Sequence, residues 1–165
     1  MTSSIPTERD ADGNAKKAMK PIILQHPGFE NDIRLNVFGQ EYHAHPIILK
    51  LNSAYFRKFL DSADKVPAVK RSLFSYDYVT VVDADGEWSL EAVKSSPHSL
   101  NHPSTNNPKA PRTESSERSA FETLLFVFYN RPYIIGSYDC FMDIYRLADF
   151  YCALPAFSHS LDSAA

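Results

Sequence analysis

Two histidines, His43 and His45, stand two residues apart in the sequence. On a strand that spacing turns both side chains to one face, where they can share a metal ion and, with a carboxylate, serve a small metal-dependent enzyme. A complete site needs further ligands, and the only cysteines, Cys140 and Cys152, lie twelve apart in a distant helical stretch. The alternative is a structural His45, hydrogen-bonded inside the fold. Neither cysteine has a base placed beside it by the sequence, so a nucleophile is not indicated. Cys152 falls in an apolar stripe and is expected in the core, with Cys140 at its edge. The acidic pairs Asp83/Asp85 and Asp61/Asp64 sit among polar residues and read as turn formers before they read as acid–base partners. No two of the five glycines, Gly13, Gly28, Gly39, Gly86 and Gly136, are spaced as a phosphate-binding loop requires. A Gly-x-Ser-x-Gly elbow is absent as well. The expectation is no catalytic residue, no metal and no cofactor.

The elements that must position these residues follow from pattern. The chain has 165 residues, 44% hydrophobic and 22% charged, enough for one core. Seventeen basic against twenty acidic residues leave a net charge of −3 and no basic field for direct nucleic-acid binding. The first twenty residues are polar and mixed in charge, which predicts a disordered arm over 1–20 and no secretory signal. The longest apolar run, Leu124 to Tyr129, is too short to cross a bilayer. With two cysteines and no Asn-x-Ser/Thr sequon, the expected location is cytoplasmic, nuclear or both.

Order is expected from Pro21-Ile22-Ile23-Leu24, with a single domain over 21–165. Ile33, Leu35 and Val37 alternate with Arg34 and Asn36, predicting a strand with one buried face. Gly39-Gln40 is expected to turn it into a return strand over Glu41–His45. Pro46 suits a helix start, with Ile47, Ile48 and Leu51 following at helical spacing. A second short helix from about Ser53 would bury Phe56, Phe59 and Leu60. Tyr76 to Val82 is rich in strand formers and ends in the turn Asp83-Ala84-Asp85-Gly86. Trp88 to Val93 fits a helical turn or a short strand.

Lys94 to Arg118 is dominated by Ser, Thr, Asn and Pro, which predicts a disordered insertion over 94–118. Ser119-Ala120-Phe121-Glu122 has capping-box spacing and would start a helix at Ala120, with Phe121, Leu124, Leu125 and Phe128 on one face. Arg131-Pro132 ends it. Another helix is expected from Ser137, carrying Phe141, Ile144, Tyr145, Ala148, Tyr151 and Cys152 on one face, and a last one over Pro155–Ser163. The order of elements is that of an α+β domain.

Asp32-Ile33-Arg34-Leu35-Asn36-Val37, Tyr42-His43-Ala44-His45, Ile48-Leu49 and Ser53-Ala54-Tyr55-Phe56 together resemble the opening half of a BTB/POZ domain. Phe121-Glu122 with Leu124-Leu125, Phe128-Tyr129, and Leu147-Ala148-Asp149 with Tyr151 resemble its later half. Across roughly residues 30–155 the chain is similar to a group of fungal BTB-domain proteins, most of all in Tyr129–Tyr133 and Leu147–Pro155. The resemblance implies a cluster of helices capped by a three-stranded sheet, used for protein–protein association and not for catalysis. His45, Leu49, Ser53 and Phe56 would be motif residues of that fold.

Members self-associate; many hold a cullin-3 scaffold as substrate adaptors of a ubiquitin ligase, and others are transcriptional regulators. The resemblance therefore implies protein partners, among them a second copy or cullin-3. Phe59-Leu60-Asp61 has the hydrophobic-x-acid form that some cullin-3 adaptors use. Ile22, Ile23 and Leu24 precede the first confident strand as apolar residues without an obvious place in the core. They are expected to form an interface together with Asp32 on that strand. Pro46 stands where the transcription-factor branch has a basic partner for the strand aspartate, so Asp32 is expected to be solvated or locally capped. The ten residues after Pro155 are fewer than the helical extension that reinforces cullin-3 binding in many adaptors.

Overall fold

Alternation of apolar and polar residues builds the centre of the sheet. In β2 (Ile33–Val37) the residues Ile33, Leu35 and Val37 are buried, while Arg34 and Asn36 face the other way. β3 (Gln40–Ala44) returns antiparallel, with Val37 opposite Gln40. The turn is therefore Phe38-Gly39 and not the expected Gly39-Gln40. Both turn residues are left-handed, at φ 47° and 81°, the two-residue geometry whose twist matches the flanking strands. Phe38 is held there by Thr80, whose Oγ1 accepts its N–H at 3.3 Å, and Asn36 Oδ1 accepts the Gly39 N–H at 3.1 Å.

This computed structural model describes residues 19–62, 73–93 and 113–162. Among the described residues the sheet has five strands in the order β1-β3-β2-β4-β5, two more than the resemblance implies. β1 (Ile22–Ile23) pairs parallel with β3, placing Ile22 beside Tyr42 and Ile23 beside His43. β4 (Tyr76–Val82) runs parallel to β2, and β5 (Trp88–Ala92) antiparallel to β4. Burial of Trp88 and Leu90 on alternate positions decides the open choice at Trp88–Val93 in favour of a strand.

The helices among the described residues are α1 (Pro46–Asn52), α2 (Ala54–Asp61), α3 (Glu114–Phe128), α4 (Tyr138–Phe150) and α5 (Leu154–Asp162). Pro46 opens α1, and Ser53 and Ser137 cap α2 and α4 by accepting from the amides of Phe56 and Cys140. Tyr42 and Trp88 meet Phe121 of α3, and Phe59 of α2 meets Tyr78, so helices cover one face of the sheet. The molecule is thus mixed α+β, and one cluster of buried residues runs from Leu24 to Phe157. No described helix is long and apolar enough to cross a membrane.

Two sequence boundaries move. Residues 1–18 of the predicted arm and 94–112 of the predicted insertion lie outside the described residues. Residues 114–118, expected to belong to that insertion, are the opening of α3, which starts six residues before the predicted Ala120. Thr113 is the cap: its Oγ1 accepts the Ser116 N–H at 3.2 Å. The polar composition of this turn hid it, because its inward residue is a glutamate. Cys152, expected in the core, is exposed: it sits just past α4 at φ 49°, where the left-handed backbone swings its side chain off the buried stripe.

Candidate interaction surfaces

The motif residues form the interior frame. His45 follows β3 at the entry to α1, buried, with its backbone N–H donating to the Tyr129 hydroxyl at 2.8 Å. The same hydroxyl lies 2.7 Å from His45 Nδ1, and His45 Nε2 lies 3.3 Å from the Phe29 carbonyl. One proton arrangement satisfies all three: Tyr129 donates to Nδ1, and the neutral ring donates from Nε2 to Phe29. Desolvation lowers the His45 pKa, against the smaller raising effect of the Phe29 carbonyl. Burial likewise pushes the Tyr129 phenol up to about 12. Ser53 caps α2 and also donates to the Tyr151 carbonyl at 2.5 Å, tying α2 to the end of α4. Phe56 stacks on Tyr151 at 5.1 Å with the planes 3° apart, and Leu49 is fully buried.

His43 and His45 do not converge. His43 Nε2 pairs with Glu41 Oε1 at 2.5 Å on the outer face of the sheet, under the ring of Phe74, whereas His45 turns to Tyr129. Because His45 has left the strand, the alternation that would align the two no longer applies. Among the described residues no group of three or more His, Cys, Asp or Glu side chains comes together as metal ligands would. Arg34 forms two hydrogen bonds to Asp77 across β2 and β4, which raise the Arg34 pKa, and its guanidinium lies 5.7 Å from the Phe74 ring centre.

The expected interface residues divide. Leu24 is 0% exposed and Leu60 2%, so both belong to the core and neither can form a surface in this conformation. Leu24 is drawn in because its N–H donates to the His43 carbonyl and Asn31 clamps both carbonyls from the side. Ile23 remains half exposed on the edge strand, and Ile22 is half-buried. Asp32 is locally capped, its Oδ1 accepting the Ser75 N–H at 2.8 Å. Phe59 is half-buried against Tyr55 and Tyr78, and Asp61 is exposed and paired with Lys50.

An apolar stripe runs along α4, and the sequence pattern assigns two of its members, Phe141 and Tyr145, to the buried face. Tyr138, Phe141, Met142 and Tyr145 follow i, i+3, i+4, i+7 spacing along α4, on the side away from buried Ile144, Leu147 and Ala148. Tyr138 is 75% exposed and Ile134, just before the helix, 88%. Phe141 anchors the stripe by packing on Phe157 of α5 at 5.8 Å and stacking on Tyr145. The signal was present: α4 is apolar on more of its circumference than a single core contact can use. A second surface is a shallow groove of about 320 Å³ between the end of α1 and the start of α5, lined by Leu51, Ala54, Arg57, Cys152 and Pro155 among others.

Comparison of the chain with protein-family models, with curated proteins and with solved structures returned no match.

Proposed function

We propose that this chain is a protein–protein interaction module of the BTB/POZ type, acting by association and not by catalysis. The observation that carries the reading is the exposed apolar stripe of Tyr138, Met142 and Tyr145 along one face of α4. Contiguous apolar surface of this kind is characteristic of proteins that bind other proteins. The order of elements supports the reading, since a strand hairpin, a helix pair, a further strand and three later helices follow one another, with β1 and β5 as additions; the roles of His45, Ser53 and Phe56 support it too. Self-association is one use of such a module. Presentation of substrates to a cullin-3 ubiquitin ligase and scaffolding of transcriptional regulators are the others, with a cytoplasmic or nuclear site of action. The test is sedimentation of the intact chain beside a Tyr138→Ser/Tyr145→Ser variant, with a cullin-3 pull-down on both. A mass above the monomer, or captured cullin-3, that is lost in the variant supports the reading. Two folded monomers that capture nothing would overturn it.

A further inference from the structure

We propose that the open edge of β5 is a docking site for an extended, basic segment of a partner protein, which adds to the sheet as a sixth strand. The proposal needs only an open strand edge and stands apart from the family reading. Two hydrogen bonds fix the phase of the β4–β5 ladder: Val93 N–H to the Asp77 carbonyl at 2.9 Å, and Asp83 N–H to the Glu87 carbonyl at 2.8 Å. In an antiparallel pair the bonded positions alternate, so Glu87, Ser89, Glu91 and Val93 turn their backbone groups toward β4. Trp88, Leu90 and Ala92 turn theirs away, and among the described residues β5 is the last strand of the sheet on that side. Three N–H and three C=O groups therefore point outward along a five-residue edge, with no described residue pairing with them.

The side chains say which strand fits. Glu87, Ser89, Glu91 and Val93 share the outer face of the sheet, with Glu87, Glu91 and Val93 exposed. From Leu73 to Val93 the sequence has Asp77, Asp83, Asp85, Glu87 and Glu91 and no Lys or Arg. Asp77 is matched by Arg34, and Asp83 Oδ1 accepts the Asp85 and Glu87 amides of its own turn. Asp85 lies in the turn before β5, which leaves Glu87 and Glu91, four residues apart on one face, to be matched from the next strand. Oppositely charged side chains directly across a strand pair are favourable, and like charges are not. A second copy paired edge to edge about Ser89 would set Glu87 against Glu91 twice, and one paired about Leu90 would set the two Glu91 side chains diagonally across the pair. Like charges meet in either register, which disfavours the chain itself as occupant. A segment with Lys or Arg at two positions four apart, and a small or aliphatic residue between them, meets both carboxylates while its backbone completes the ladder.

The experiment titrates the full chain with the octapeptide Thr-Lys-Thr-Val-Thr-Lys-Thr-Val. One control carries Glu in place of Lys, and another is N-methylated on alternate residues so that it cannot extend a sheet. The expected result is saturable binding of the Lys peptide only, with amide exchange at Trp88, Leu90 and Ala92 slowed by about tenfold or more. Glu87→Lys/Glu91→Lys should weaken that binding by about tenfold or more. Ala92→Pro should abolish it with the melting curve kept, since that residue's N–H is not used by β4. Equal binding of the N-methylated peptide would mean ionic adsorption alone and would overturn the proposal. So would exchange at Leu90 and Ala92 that is already as slow in the free chain as at Ser89, because the edge would then be occupied by the chain's own residues or by another copy. Should the proline variant not fold, the three peptides still decide the matter.

Discussion

The two ends of α3 keep polar groups inside the molecule by opposite means. Near its start, Glu117 is buried and charged: its carboxylate takes the Trp88 indole N–H at 3.0 Å and an ion pair from Arg146 of α4. Just past its end, Tyr129 offers a neutral hydroxyl to His45, and every group there completes its hydrogen bonds without a net charge. Both contacts join the sheet to the later helices, but they differ in what happens when one member is removed. A neutral lock loses hydrogen bonds. A charged one strands an ion. In the Glu117 cluster the stranding has already begun, since Arg146 Nε is buried without a partner among the described residues.

The comparison breaks most sharply at Glu117. Glu117→Ala leaves the Arg146 guanidinium and the Trp88 N–H unpaired and should lower unfolding free energy by about 3 kcal/mol, read from the denaturant midpoint. The double variant Glu117→Leu/Arg146→Met should recover much of that loss, because replacing both ions with apolar groups removes the desolvation penalty. If the double variant is no more stable than the single one, the burden at this end of α3 is packing and not charge.

His45→Ala tests the neutral end and should cost about 2 kcal/mol, through lost packing and an orphaned Tyr129 hydroxyl. An unchanged melting curve would contradict a structural role. The pH response sharpens the contrast. Desolvation lowers the folded pKa of His45 below its unfolded value near 6.5. The unfolded chain therefore binds the proton first as pH falls. The stabilisation is fully present above about pH 6.5 and is lost as the pH drops from there through the lowered folded value. Melting temperatures of the intact chain should fall more steeply below about pH 6.5 than those of His45→Ala. Parallel curves would mean that His45 titrates alike in both states.

These two ends were not equally legible in the sequence. Ile33, Leu35 and Val37, the Pro46 start and the Ser53 and Ser137 caps are written in local pattern, because alternation and capping are short-range rules. His45 as an interior hydrogen-bonding residue was legible from its motif, although its partner Tyr129 is 84 positions away and no local rule names it. The Glu117 cluster was invisible. A glutamate within a polar stretch reads as solvent-facing until Trp88 and Arg146, each 29 residues distant, are brought to it by the fold. The same long-range blindness put Leu24 on the surface and Tyr145 on the inner face of α4. Periodicity says that a helix has an apolar face but does not say which of two faces its neighbours cover.

The smallest expected effect isolates burial from charge. Lys50 and Asp61 form an ion pair like that of Arg146 and Glu117, with Nζ 2.5 Å from Oδ1. The Asp61 side chain is 58% exposed, however, against 9% for Glu117. Water already solvates the Asp61 carboxylate, so the pair gains little Coulomb energy and gives up side-chain entropy to form. Lys50→Ala should therefore change stability by no more than about 0.5 kcal/mol, and the difference should shrink in high salt because exposed charges are screened. The denaturant midpoints of the Glu117 variants should hold their spacing under the same salt. If Lys50→Ala proved as damaging as Glu117→Ala, burial would not be what separates the two pairs. The contrast between the ends of α3 would then have to be sought in the α1–α2 packing that Lys50 shares with Arg57, whose guanidinium donates to the Lys50 carbonyl at 3.3 Å.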